Sequence, residues 1–129
     1  MVAYSFKARF VEPIQSGLKA QTIRAERKRH ARPGEALQLY TAMRTKQCTL
    51  VGTATCARID PIRLDFDCGR IEFPATGLAL TMLPELDAFA RIDGFDDWRG
   101  MMAFWAREHP GDQFSGVIIH WTNFEVSND

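Results

Sequence analysis

Eight consecutive residues, Gly17-Leu18-Lys19-Ala20-Gln21-Thr22-Ile23-Arg24, bring together a turn residue, an amine, a hydroxyl and a guanidinium. Val11 to Ser16 reads as a short helix, and Gly17 suits the left-handed position that ends one. Thr22-Ile23-Arg24 contains two β-branched residues and reads as the start of a strand. Thr22 and Arg24 then share a face, and Lys19 in the connecting turn can reach the same side. Such a cluster suits a phosphate, a carbonyl oxygen or a base edge. A threonine hydroxyl becomes a nucleophile when a base takes its proton. A lysine serves as that base when burial or a neighbouring cation, here Arg24, lowers its pKa from about 10.4. Each residue also has an ordinary structural use: Lys19 on a surface turn, Thr22 in a strand, Arg24 in an ion pair with Glu26 or Asp93.

The 16 Lys and Arg residues balance the 16 Asp and Glu residues, yet they are separated along the chain. Residues 1–64 hold 12 basic against 4 acidic side chains, and residues 65–129 hold 4 against 12. A basic half of this strength points to an anionic partner, although the halves could also neutralise each other across one fold. The densest basic stretch, Arg24 to Arg32, contains Arg24, Arg27, Lys28, Arg29 and Arg32 against Glu26 alone. It lacks apolar periodicity and ends at Pro33-Gly34, so an exposed loop is expected. Beside the Lys19/Thr22/Arg24 cluster it would make a phosphate-contacting edge; otherwise it is a flexible, solubilising loop.

With 129 residues, 46% apolar and 25% charged, the chain suits one soluble globular domain over residues 1–129. It has no apolar run near the roughly 20 residues of a membrane span, and its first residues lack signal-peptide character, so a cytoplasmic protein without a membrane partner is expected. Cys48, Cys56 and Cys68 show no C-x-x-C spacing, and His30, His109 and His120 are scattered. Reduced thiols are expected, with no metal site and no cofactor. Nothing in the sequence sets an oligomeric state.

Several elements must position the cluster. Tyr4, Phe6, Ala8 and Phe10 alternate with polar residues, predicting a strand, and Ala36–Thr41 predicts another. Leu50–Ala57 predicts a long strand with a bend or bulge at Gly52, interrupted at Pro61. Leu64–Phe73 suggests a hairpin turning at Asp67-Cys68-Gly69. A helix starting at Pro84, with Leu86, Phe89 and Ala90 on one face, ends at Asp93-Gly94. Asp96 or Asp97 caps the next helix, whose Trp98, Met101, Met102 and Trp105 form a stripe better suited to the core than to base stacking. Pro110-Gly111 stops it, and Phe114–Trp121 reads as a buried strand. Mostly antiparallel strands with helices gathered at one side predict an α+β fold, a small β-barrel.

The chain resembles the ASCH domain, a branch of the PUA-like β-barrel superfamily. Gly17 to Arg24 fits that family's G-x-K-x-x-T-x-R signature in full. Gly34-Glu35 stands where the family usually has Gly-Asp, and Asp93-Gly94-Phe95 where it usually has Glu-Gly-Phe. The aromatic-rich helix running to Pro110-Gly111 and the closing strand Val117-Ile118-Ile119 extend the resemblance over nearly the whole chain. It implies a PUA-like barrel with flanking helices and a cleft that binds RNA or a modified nucleobase or nucleoside. Gly17, Lys19, Thr22 and Arg24 would line that cleft, with Arg27, Lys28, Arg29 and Arg32 beside it. Some small bacterial members are amidohydrolases that deacetylate N4-acetylcytidine. By that resemblance Lys19 would be the proton acceptor, Thr22 the nucleophile and Asp93 the proton donor, one methylene shorter than the family's Glu. The expected helix C-terminus at Asp93 would favour its protonated form, and Arg24 could stabilise an oxyanion. Ribonuclease activity is also known in the family. A protein-interaction module, suggested by the acidic half, is the remaining alternative.

Overall fold

The computed structural model describes residues 1–127. The chain runs β1 (Val2–Phe6), a 3-10 turn (Ala8–Phe10), α1 (Val11–Ser16), β2 (Gln21–Arg24), β3 (Ala36–Thr41), β4 (Thr49–Asp65), β5 (Arg70–Phe73) and β6 (Leu78–Leu80). It then continues through α2 (Leu83–Ile92), α3 (Trp98–Glu108) and β7 (Gln113–Val126). The fold is α+β, with all seven strands in one mostly antiparallel sheet.

The long strands β4 and β7 form its spine, paired antiparallel from Gly52↔Val126 to Asp65↔Gln113. On the other side of β4 lies β3, which carries β1 as a parallel neighbour. On the far side of β7 lies β2. The β5–β6 hairpin extends the opposite end of β4. Among the described residues β1 and β2 share no ladder, so the sheet is not closed by strand pairing.

The first strand stops at Phe6 instead of running to Phe10. Phe10 N–H donates to the Lys7 carbonyl, and the resulting 3-10 turn still buries both Phe6 and Phe10. Alternation over four residues is compatible with a helical turn as well as with a strand. Pro61 does not interrupt β4; it pairs with Val117 of β7. The β3 register ends at Thr55 and the β5 register begins at Arg63, so Pro61 is flanked by β7 alone, an edge-like position of the kind where proline is tolerated in a strand. Gly52 is a close-approach position: a Cβ there would run into the Glu125 carbonyl and the Phe124 ring.

The core is formed by sheet residues such as Tyr4, Leu37, Leu39, Ile62, Leu64, Ile118 and Ile119, covered by the apolar faces of α2 and α3. The helix starts follow from their sequences. Glu85 accepts from Met82 N–H, and Asp97 caps α3 by accepting from Gly100 N–H at 2.8 Å. Asp87 on α2 accepts from Trp98 N–H at 2.9 Å and fixes the start of α3 against α2. This arrangement sets the α2 C-terminus over the α1–β2 connection. Among the described residues, no helix is long and apolar enough to cross a membrane.

Candidate functional site

Gly17 ends α1 at φ +86°. Its N–H bonds the Ile14 carbonyl, and Lys19 N–H bonds the Pro13 carbonyl at 2.9 Å. This tight reversal sends the Lys19 side chain inward. From the other direction, Asp93 ends α2, its N–H bonding the Phe89 and Ala90 carbonyls. Gly94 then reverses the chain at φ +98°, with the Lys19 stem against it. The two reversals meet. Lys19 is 3% exposed, and Gln21, Thr22 and Asp93 are each 4% exposed. Lys19 Nζ donates to the Asp93 main-chain carbonyl at 2.7 Å and to Asp93 Oδ1 at 3.2 Å. Gln21 Nε2 donates to the same Oδ1 at 3.2 Å.

Burial pushes the Lys19 pKa below its ordinary value, and the cations Arg24 and Arg9 add to this while Asp93 opposes it. Burial pushes Asp93 up, against the opposing pull of Lys19 and Gln21. The direction agrees with the sequence expectation, but desolvation is the first cause. An ammonium–carboxylate pair and an amine–carboxylic acid pair have the same net charge, and desolvation favours the second. Two N–H groups of Lys19 are held by Asp93. Where both of those bonds are kept, the third position on Nζ carries a proton in the ammonium and a lone pair in the free amine. The Phe10 ring face, 4.8 Å from Nζ, favours the ammonium.

Arg24 donates from Nε to Thr22 Oγ1 at 2.9 Å and from Nη2 to the Ser5 carbonyl at 2.6 Å. Its guanidinium lies 4.8 Å from the Phe6 ring centre and 5.3 Å from that of Tyr4. It thereby links the edge strands β2 and β1. Burial lowers its pKa to about 10, which leaves it charged at neutral pH. It makes no ion pair with Glu26 or Asp93 among the described residues; its partners are a hydroxyl and a carbonyl. Thr22 Oγ1 accepts from Arg24 and keeps its own proton available. Lys19 Nζ does not hydrogen-bond Thr22 Oγ1; amine and hydroxyl face one cavity without touching.

That cavity, about 220 Å³, is lined by Lys19, Thr22, Arg24 and Asp93 together with Phe6, Phe10, Phe95, Phe104, Trp105 and Phe114. Lys7 and Glu108, paired at 2.8 Å, also border it. His109 stacks on Trp105 with ring centres 4.4 Å apart. Trp105 is buried, as the α3 stripe predicts, and it also forms cavity wall. Sequence reasoning missed Gln21, Phe95, Phe104, Glu108 and His109 as site residues. Gln21 lay inside the eight-residue run, and Phe104 and Glu108 lie one turn apart on α3; those spacings were the available signals.

The remaining sequence candidates lie elsewhere. Gly17, Arg27, Lys28, Arg29 and Arg32 do not line the cavity. Gly17 shapes the turn. The basic segment is a loop tied down at several points: Arg27 stacks over Tyr4 at 4.7 Å and donates to the Arg29 carbonyl, and Arg29 pairs with Glu35. His30 bridges Tyr4 Oη and the Ala25 carbonyl. Arg32 N–H donates to Glu35 Oε1, and Lys28 is exposed. Cys56 is buried, and Cys48 and Cys68 are exposed; all three are free thiols.

No protein-family model, curated protein or solved structure matches the chain.

Proposed function

We propose that the chain is an ASCH-like domain of the PUA-like type whose cavity takes a modified nucleobase or nucleoside, free or within RNA. The observation that carries this reading is the convergence of Lys19, Thr22, Arg24 and Asp93 on one aromatic-walled cavity. Flat aromatic walls suit the faces of a base, while buried donors and a carboxyl suit its edge. The volume lies below the roughly 300–1,000 Å³ of pockets for drug-sized ligands, which favours a single base over an extended chain. The Arg24 bond across the β1–β2 gap supports barrel-like closure. Equilibrium dialysis with N4-acetylcytidine and cytidine tests the reading. Saturable binding by the wild type that is lost in Arg24→Ala is the expected result; no saturation with either nucleoside would refute it.

One observation favours amide hydrolysis at the same site: Lys19 is shifted toward the free amine and Asp93 toward the acid, beside the Thr22 hydroxyl. In this reading Thr22 Oγ attacks the acetyl carbon of N4-acetylcytidine and its proton passes to the Lys19 amine. Arg24 stabilises the oxyanion. The C–N bond breaks, its electrons stay on N4, and N4 takes the Asp93 proton to release cytidine. Water then attacks the threonyl ester and gives a proton to Asp93. The ester C–O bond breaks, Thr22 Oγ recovers its proton from Lys19, and acetic acid leaves. Chromatography after incubation with N4-acetylcytidine should show cytidine with the wild type and none with Lys19→Ala or Thr22→Ala.

A further inference from the structure

Asp93 has two carboxylate oxygens, and the fold treats them differently. Oδ1 accepts from Lys19 Nζ and from Gln21 Nε2, both at 3.2 Å. No described donor reaches Oδ2. No buried side-chain oxygen or nitrogen among the described residues lacks a partner, so Oδ2 keeps some access, and Asp93 is one of the residues that line the cavity. Gln21 occupies an unspecified position of the G-x-K-x-x-T-x-R pattern and is nevertheless as buried as Thr22.

We infer that Gln21 is a positioning residue: its carboxamide holds Asp93 Oδ1 as an acceptor and thereby makes Oδ2 the oxygen that carries a proton into the cavity. The inference rests on the reading of Asp93 as the site's acid. An oxygen that already accepts two N–H bonds behaves as the carbonyl oxygen of a carboxylic acid, because placing the proton there weakens both bonds. Lys19 alone does not make that choice. Its ammonium can pass a proton directly to Oδ1, which would leave the acid hydrogen pointing back at the amine. The neutral carboxamide N–H of Gln21 does not give up its proton to a carboxylate, so the Nε2–H···Oδ1 bond is not lost by proton transfer. The other charge acting on Asp93 is Arg24 on β2; His120 on β7 feels the Asp93 charge, while burial and Arg58 lower its pKa. Neither bonds its carboxyl.

The test is a carbon-detected NMR titration of the Asp93 carboxyl in the full chain, assigned by its disappearance in Asp93→Asn. In Gln21→Met the Asp93 midpoint should rise by about one pH unit or more, the effect of losing a donor to a carboxylate. An unmoved midpoint in a folded Gln21→Met protein would overturn the inference. Gln21→Glu serves if the methionine variant does not fold: two facing carboxyls should then share a proton and titrate in two separated steps. A single step at the wild-type midpoint would also overturn it. Neither readout needs turnover, so absence of hydrolysis by the wild type sinks the hydrolase reading and leaves this test intact. Where turnover is seen, Gln21→Met should lower kcat at least tenfold with KM within about twofold, and move the alkaline limb of the pH profile upward.

Discussion

Asp93 supplies both acceptors of the Lys19 amine, its main-chain carbonyl at 2.7 Å and its Oδ1 at 3.2 Å. One helix C-terminus therefore fixes the direction of an amine that arrives from 74 residues away. Removing one member of a buried ionisable pair leaves the other without its partner and costs about 3–5 kcal/mol. Lys19→Met should destabilise by about that amount; Asp93→Asn should cost less, because Lys19 Nζ keeps the main-chain carbonyl of residue 93 as an acceptor. The double variant should lose at least about 1 kcal/mol less than the two singles combined. Urea unfolding of the four proteins at pH 7 measures this coupling, and strict additivity would show that the pair does not hold the two segments together.

The two glycines that deliver these residues differ in a measurable way. Both Gly17 and Gly94 have φ near +90°, where a Cβ costs about 1–2 kcal/mol. Around Gly17 a Cβ meets nothing within 4 Å, whereas at Gly94 it would lie 2.9 Å from the Phe10 ring and 3.1 Å from Lys19 Cδ. Gly17→Ala should lower stability by about 1–2 kcal/mol and leave nucleoside affinity unchanged. Gly94→Ala should destabilise further and weaken affinity, because relief requires Phe10 or Lys19 to move within the cavity wall. Thermal melts and dialysis on both variants separate these outcomes.

Local chemistry explains what was legible in the sequence. The Gly17 cap, the shared face of Thr22 and Arg24, the Asp97 cap and the Trp98/Met101/Trp105 stripe depend on near neighbours, and the structure contains each of them. Pro61 was misread because its tolerance depends on a gap between two partner strands far away in the chain. β7 runs five residues beyond the expected end at Trp121, to Val126, where Phe124 and Val126 alternate with Asn123 and Glu125 and the strand pairs with the start of β4. The cavity wall was illegible for a similar reason. Phe95, Phe104 and Phe114 come from a turn, a helix and a strand, and no local spacing relates them to Lys19.

The basic loop is anchored in part by Glu35, which pairs with Arg29, accepts from Arg32 N–H and lies 3.6 Å from the N-terminal amine. The Arg29 hydrogen bond is the largest cause that lowers its pKa, to about 2 from an ordinary 4.5. The folded state therefore releases this proton more readily than the unfolded chain. Its stabilising contribution is complete above pH 4.5 and is lost as pH falls toward 2. The drop in melting temperature between pH 6 and pH 2 should be smaller in Glu35→Gln than in the wild type. Parallel curves would place the acid sensitivity of the fold in other carboxylates.

Placement of Lys28 and Arg32 outside the cavity separates two kinds of binding. If RNA is the partner, these side chains meet phosphates while the cavity takes one base. Lys28→Ala and Arg32→Ala should then weaken RNA uniformly across sequences. Each should also reduce the slope of log affinity against log salt by about 0.7 for a single strand. Affinity for a free nucleoside should stay unchanged in both, because a neutral ligand in the cavity meets neither side chain. Thr22→Val should behave in the opposite way, weakening the nucleoside while leaving the salt slope intact, since it removes a hydroxyl from the cavity and no charge from the surface. Fluorescence titrations of a short RNA at several salt concentrations, paired with nucleoside dialysis, decide the matter. A salt slope that the loop substitutions leave untouched would confine the loop to its ties with Tyr4 and Glu35.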